Sequence, residues 1–285
     1  MPSTLLAIPN VSEGRDHEAV EAIGAAFDAL LLDVHSDPDH HRSVFTLAGE
    51  PGRLAGAVLS GAGEAVRRID VVNRHEGIHP RVGAIDVAPI VYLDRGDRGA
   101  ACAEALVLGD LLGTELELPV FLYGELAQGR TRAELRRGGP ANLAHRIDVG
   151  ELRPDFGPRR MHPTAGAVLV AARPPLVAFN VELAPPATVA DAREIAALIR
   201  DGGSEGLPGV RAIGLWLDAR GVAQVSTNVE DHRAVPLARL VEGIAGHATP
   251  LRAELVGLAP AAAFEGFPDG LPVANRRTVE DVLAG

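Results

Sequence analysis

Hydrophobic periodicity along this 285-residue chain runs twice through one order: strand, helix, strand, strand, helix, strand. That repeat constrains the fold more than any single motif, because a helical period of 3.6 and a strand period of 2 cannot be exchanged. The first pass gives a strand over Thr4–Ile8 and a helix over Arg15–Ala29, with Val20, Ile23, Phe27 and Leu30 on one face. Strands at Leu31–Val34 and Val44–Leu47 flank a polar, proline-containing turn. A helix over Arg53–Ile69 follows, with Leu54, Leu59, Ala62 and Val66 inward. Ala84–Leu93 is the next strand, and Pro89 places it at an edge or bulge, since proline cannot donate to a ladder. A helix over Asp97–Leu116 and a strand at Val120–Tyr123 extend this half.

The second pass is shorter. Leu176–Leu183 is a strand, Thr188 caps a helix reaching Asp201, and Gly202-Gly203 end it. Arg211–Leu217 and Ala223–Asn228 form a hairpin around Asp218–Gly221, followed by a helix over Val235–Ala245 and a strand over Leu251–Val256. This order is the ferredoxin-like arrangement, so the chain reads as α+β: two βαββαβ subdomains, antiparallel or mixed sheets with helices on one face. The break falls where Arg173-Pro174-Pro175 interrupts the pattern, giving subdomains 1–173 and 174–285 with a ligand groove expected between them. Gly124–Pro163, rich in Gly, Arg and Pro, is long enough to cover a cleft.

Composition removes several function classes. The net charge is -11, and all 27 basic residues are Arg. An acidic chain without basic runs is a poor nucleic-acid binder. Without Lys there is neither Schiff-base chemistry nor a phosphate loop that depends on one. One cysteine, Cys102, excludes an internal disulfide framework and fits a reducing compartment. No apolar run of about 18 residues reads as a membrane span, and Met1–Pro9 lacks the basic start of a secretory signal. The expectation is a cytoplasmic protein that acts on small molecules, without nucleic-acid or membrane partners; a homodimer is compatible with it.

Three segments carry chemistry. His75-Glu-Gly-Ile-His79-Pro-Arg81 precedes a strand. Gly77 and Pro80 make it a loop rather than a helix presenting two metal ligands, and a loop imidazole beside Arg81 suits proton transfer. From spacing alone, the default for each His is structural or surface. His35-Ser-Asp-Pro-Asp-His-His41-Arg42 concentrates imidazoles and carboxylates in a turn that reads as a metal site, an anion site or a polar surface. Pro154-Asp-Phe-Gly-Pro-Arg-Arg-Met-His-Pro-Thr-Ala-Gly166 is stiff and either caps the fold or lines a ligand, with arginines suited to carboxylates.

Read in order, Pro9-Asn-Val-Ser-Glu-Gly14, Gly77-Ile-His-Pro-Arg-Val-Gly-Ala-Ile-Asp86 and Pro154-Asp-Phe-Gly-Pro158 running into Gly166 resemble the formiminotransferase family. Leu122-Tyr-Gly-Glu125, Ala172-Arg-Pro, Ala178-Phe-Asn180, Ala223-Gln-Val-Ser-Thr-Asn228 and Leu255-Val-Gly-Leu258 support the resemblance, which covers nearly the whole chain. It implies a folate-dependent transferase of histidine degradation and one-carbon metabolism. Such an enzyme moves a formimino group from N-formiminoglutamate to tetrahydrofolate, the co-substrate, with no metal. It implies His79 as the catalytic residue. It also implies a folate-binding stretch at Gly157, Pro158, Arg159, Arg160, Met161, His162, Pro163, Thr164, Ala165 and Gly166. Arg42, Arg81 and Arg173 are the candidates for the donor's carboxylates. Where the resemblance places a carboxylate and an Asn near the donor, this chain has His35 and His41. The cyclodeaminase domain fused to some members is expected to be a separate protein. Three alternatives remain: a one-carbon transferase with a different amine donor, a folate-binding protein without turnover, and a hydrolase with a metal on His35, His40 and His41.

Overall fold

A computed structural model describes residues 3–74 and 80–284. The chain divides into two compact units between Arg173 and Pro174.

In the first unit the elements run β1 (Leu5–Ala7), β2 (Asn10–Val11), α1 (His17–Ala26), β3 (Leu30–Asp37), β4 (Arg42–Gly49), α2 (Leu54–Arg68) and β5 (Ile85–Tyr92). There follow α3 (Arg98–Glu115), β6 (Val120–Leu122), α4 (Arg132–Arg136), α5 (Gly139–Asp148) and β7 (Val168–Arg173). β1 and β2 act as one interrupted strand between β4 and β5, antiparallel to both, and β3 pairs antiparallel with β4. That is the ferredoxin-like sheet; β7 and β6 extend it in parallel beyond β5.

Alternation along β5 and β7 separates two cores. Ile85, Ala88, Ile90, Val168 and Val170 meet α1, α2 and α3 on one face, where Phe27 and Phe45 pack with ring centres 5.2 Å apart. Val87, Leu169, Ala171, Phe121 and Tyr123 meet Leu135 of α4 and Leu143 and Ile147 of α5 on the other. The Gly124–Pro163 segment is therefore not a plain cover. Its two short helices add a layer, α4 starting at a capping box between Thr131 and Glu134.

Two expectations are corrected. Leu30 does not belong to the α1 face: the helix stops at Ala26, and Leu30 opens β3 at 62% exposure. Of the edge or bulge expected at Pro89, the edge is excluded, because β5 has neighbours on both sides, while a register shift does occur in the same strand. The register sets Pro89 opposite Ile8, whose N–H donates to the Pro89 carbonyl at 3.0 Å. Pro89 has no N–H to return. The Ile8 carbonyl instead accepts from Asn10 Nδ2 at 3.0 Å, so the gap between β1 and β2 is bridged by a side chain.

The second unit contains β8 (Val177–Leu183), α6 (Val189–Ile199), β9 (Val210–Leu217), β10 (Val222–Val229), α7 (Leu237–Ala245), β11 (Pro250–Val256), β12 (Val273–Ala274) and α8 (Val279–Ala284). Its sheet order, β12-β11-β8-β10-β9, repeats the ferredoxin-like order with β12 added in parallel. Thr188 caps α6 through a reciprocal pair with Asp191, and the β9–β10 hairpin closes at Leu217 and Val222, as the sequence predicts. No helix among the described residues is long and apolar enough to cross a membrane.

Candidate active site

The motif that opens the chain forms the turn from β2 into α1. Ser12 Oγ donates to the Gly83 carbonyl at 2.7 Å, and Ser43 Oγ donates to the Glu13 carbonyl at 2.6 Å. Glu13 Oε1 accepts the N–H groups of Gly14, Arg15 and Asp16 at 2.8–3.0 Å, filling the concavity ahead of α1 with the chain's own carboxylate. A Cβ on Gly14 would lie 2.4 Å from the Asp37 carbonyl and 2.6 Å from the Arg42 nitrogen. Glycine lets this turn press against the β3–β4 hairpin.

At the hairpin tip, Asp37 Oδ1 accepts the N–H of Asp39 and of His40, and Oδ2 bonds His40 Nδ1 at 2.5 Å. Burial opposes ionisation of Asp37, but the His40 ring bond, its charge and the two N–H bonds prevail and hold the carboxyl at about 2. His41 adopts φ 50°, and its Nδ1 accepts from Gly14 N–H at 3.1 Å while lying 3.3 Å from Glu13 Oε1. The neighbouring rings thus turn onto different carboxylates. Among the described residues, no three His, Cys, Asp or Glu side chains come together as a metal set.

Behind the hairpin lies a cluster of guanidiniums. Arg81, 3% exposed, donates from Nη2 to the His40 carbonyl at 3.2 Å. Burial and the charge of Arg15 lower its proton affinity against the pull of Asp86 and Glu13. Arg42 is brought down to about 10, first by burial and then by Arg136, with Arg132 adding to the repulsion and Asp86 and Asp37 opposing it. Asp86 is buried at 2% exposure. Its Oδ1 accepts Val82 N–H at 2.7 Å, and its Oδ2 pairs with Arg136 Nη2. A register shift opposite Asn10 and Val11 leaves Asp86 as the extra residue between Ile85 and Val87. Such a bulge re-aims a side chain.

The segment Gly157–Gly166 is strapped to the chain that leads into β5. Gly166 bridges Gly83, Ala84 N–H donates to the Ala165 carbonyl at 2.8 Å, and Ala167 N–H donates to the Val82 carbonyl at 2.9 Å. Gly83 permits this contact, since a Cβ there would sit 1.7 Å from the Ala167 oxygen. His162 Nδ1 accepts Ala165 N–H at 3.0 Å, and partial burial lowers the proton affinity of the ring. Gly157, Arg159, Arg160 and Pro163 are exposed, Pro158, Met161, His162 and Thr164 are partly so, and Ala165 is buried. The first part of the motif has a structural role: Asp155 accepts Leu122 N–H at 2.7 Å and pairs with Arg130.

The structure brings His41, Arg42 and Arg81 together around Glu13, Asp37 and Asp86. His35 sits opposite Val44 in the hairpin, on the Arg42 side by alternation. Arg173 is not beside them. It ends β7 opposite Val91, five positions along β5 from Asp86, roughly 16 Å at the usual strand rise. His79, with His75, lies outside the described residues. Sequence reasoning missed Glu13, Asp86, Arg132 and Arg136. Asp86 and Glu13 stood inside quoted motifs, whereas Arg132 and Arg136 carried no signal beyond an arginine-rich segment.

Comparison with known proteins places the chain in context. The family described as "Formiminotransferase domain, N-terminal subdomain" matches residues 4–173, and "Formiminotransferase domain" matches residues 178–265. The chain is 36% identical over 277 residues to a glutamate formimidoyltransferase of Streptococcus pyogenes serotype M1, covering 93% of this chain and 91% of that protein. It is 35% identical over 274 residues to a glutamate formimidoyltransferase of Thermoplasma acidophilum, covering 90% and 88%. It is 38% identical over 280 residues to the formimidoyltransferase-cyclodeaminase of Sus scrofa, covering 91% of this chain but only 51% of that protein. The chain thus spans about half the length of the cyclodeaminase relatives it matches.

Proposed function

Since the chain belongs to the formiminotransferase family, we propose that it transfers a formimino group from N-formiminoglutamate to N5 of tetrahydrofolate and releases glutamate. One observation carries the reading: similarity to a protein named for glutamate formimidoyl transfer runs through about nine-tenths of both chains.

His79 is the proposed proton carrier. As N5 bonds to the formimino carbon, the imidazole takes the N5 proton. The bond from that carbon to the glutamate nitrogen then breaks, and the imidazole returns the proton to the leaving nitrogen. A histidine does both near neutral pH without a second group. Arg81, two residues on, donates to the His40 carbonyl. Arg42, Arg81 and Arg173 are the proposed partners of substrate carboxylates. Tetrahydrofolate is proposed to lie along Gly157–Gly166, whose exposed Arg159 and Arg160 and whose attachment to Val82–Ala84 support a ligand held near the proton carrier. Holding both substrates against one framework lowers the barrier through orientation.

His35 and His41, standing where the resemblance places a carboxylate and an Asn, favour a second reading with the same chemistry and another amine donor. Mixing the protein with tetrahydrofolate and formiminoglutamate, and following the formimino-folate absorbance, tests both. Transfer is expected. Transfer only from another formimino amine selects the second reading, and folate binding without turnover from any donor overturns both.

A further inference from the structure

The imidazole of His162 is spent on one side only. Its Nδ1 accepts Ala165 N–H at 3.0 Å and Thr164 N–H at 3.4 Å, with the Thr164 hydroxyl at 3.5 Å. An acceptor of N–H groups must offer a lone pair, so the proton of the neutral ring sits on Nε2. A second proton would set an N–H of the ring against these donors. Burial disfavours it as well, against the pull of Glu117. The backbone holds the arrangement: His162 N–H donates to the Gly166 carbonyl at 3.1 Å, and Gly166 N–H returns to the His162 carbonyl at 3.3 Å. Among the described residues, the hydrogen bonds of this partly exposed ring all fall on Nδ1, which leaves Nε2–H as a single uncharged donor.

What such a donor suits follows from its charge. A carboxylate is held better by a guanidinium, and Arg159 and Arg160 stand exposed in the same segment. A neutral N–H suits a neutral acceptor. Gly166 bridges both His162 and Gly83, which puts the His162 backbone within about 10 Å, two strand spacings, of the chain that carries His79 four residues before Gly83. Tetrahydrofolate offers a neutral acceptor beside N5, the atom to be deprotonated: the carbonyl oxygen of its pterin ring.

We propose that His162 is a specificity-determining residue that donates from Nε2 to the pterin carbonyl of the bound folate. The inference rests on the transfer reading above and deepens it.

His162→Asn keeps an oxygen for Ala165 N–H and removes the far donor. The variant should bind tetrahydrofolate about 3- to 10-fold more weakly, the factor of one hydrogen bond between uncharged groups, with kcat little changed and Tm in place. The tetrahydrofolate analogue with an amino group in place of the pterin carbonyl is the second probe. In calorimetric titrations wild type should favour tetrahydrofolate over this analogue, and the variant should lose most of that preference. Nitrogen NMR of the wild-type ring at pH 7 should show a protonated Nε2 and a bare Nδ1; a proton on Nδ1 overturns the proposal. If wild type binds tetrahydrofolate without turnover and the variant loses the preference, transfer falls and the role of His162 stands. If wild type turns over and the variant keeps both affinity and preference, transfer stands and the role of His162 falls. If wild type does not bind tetrahydrofolate, both fall.

Discussion

Glu104, buried in the middle of α3, serves as the N-terminal cap of α2: its Oε1 accepts Ala55 N–H at 2.6 Å and its Oε2 accepts Gly52 N–H at 2.5 Å. Arg53, at the N-cap position, supplies no side-chain acceptor of its own. The first turn of a helix leaves donors without partners, and here a residue 49 positions away satisfies one of them and ties α2 to α3.

Glu104→Ala should therefore cost about 2–4 kcal/mol, because it orphans two N–H groups and opens a small void. Glu104→Gln, which keeps one oxygen, should cost about half as much. Chemical denaturation monitored by circular dichroism reads the difference. Equal midpoints for the two variants would show that the cap carries little of the effect.

His79→Ala should lower turnover roughly 10²- to 10⁴-fold, the usual weight of general acid–base catalysis, with folate affinity nearly unchanged. His75→Ala is the internal control and should do much less. Steady-state kinetics on folded variants decide it: equal losses would remove His79 from its role.

Asp37 gives a pH signature. Its carboxyl sits at about 2 in the folded protein, below its ordinary value of 3.8. A depressed carboxylate contributes stability that is complete above the unfolded value and lost as pH falls through the folded one. The contribution, on the order of 1–2 kcal/mol after allowance for solvent screening, should fade between about pH 5 and pH 2. Asp37→Asn should lower the melting temperature at pH 7 and flatten the acid limb of the stability profile. An unchanged acid limb would mean that the pair with His40 contributes nothing.

Replacing Arg159 and Arg160 by Gln should weaken tetrahydrofolate binding about tenfold or more while leaving Tm in place, since both side chains are exposed. Calorimetric titration is the measurement, and unchanged affinity would move the folate site off this segment.

The element order was legible where a helix carries a one-sided apolar pattern, as α1 and α2 do; Thr188 and the Leu217–Val222 hairpin followed local turn and cap chemistry. The strand β7 (Val168–Arg173) was not expected at all, and the rest of what escaped was non-local or too short. The five residues of α4 are less than two turns, too few for a face to declare itself. Asp86 owes its aim to a register shift that appears only once β2 and β5 are paired. The crowded turn His35–His41 suggested ligands converging, yet one left-handed residue, His41, sends its ring to Glu13 while His40 turns to Asp37. Density of imidazoles in sequence says little about where rings point.

The side-chain bridge from Asn10 to the Ile8 carbonyl has an evolutionary consequence. Positions 10 and 89, far apart along the chain, are one unit of inheritance: a proline at 89 makes the amide at 10 worth retaining, and a residue with its own N–H at 89 releases it. A double-mutant cycle on Asn10→Ala and Pro89→Val should return a coupling of about 1 kcal/mol, in the range seen for directly interacting sites. Lineages that change one position should then drift at the other, so the mark of this broken strand is paired variation and not the identity of either residue.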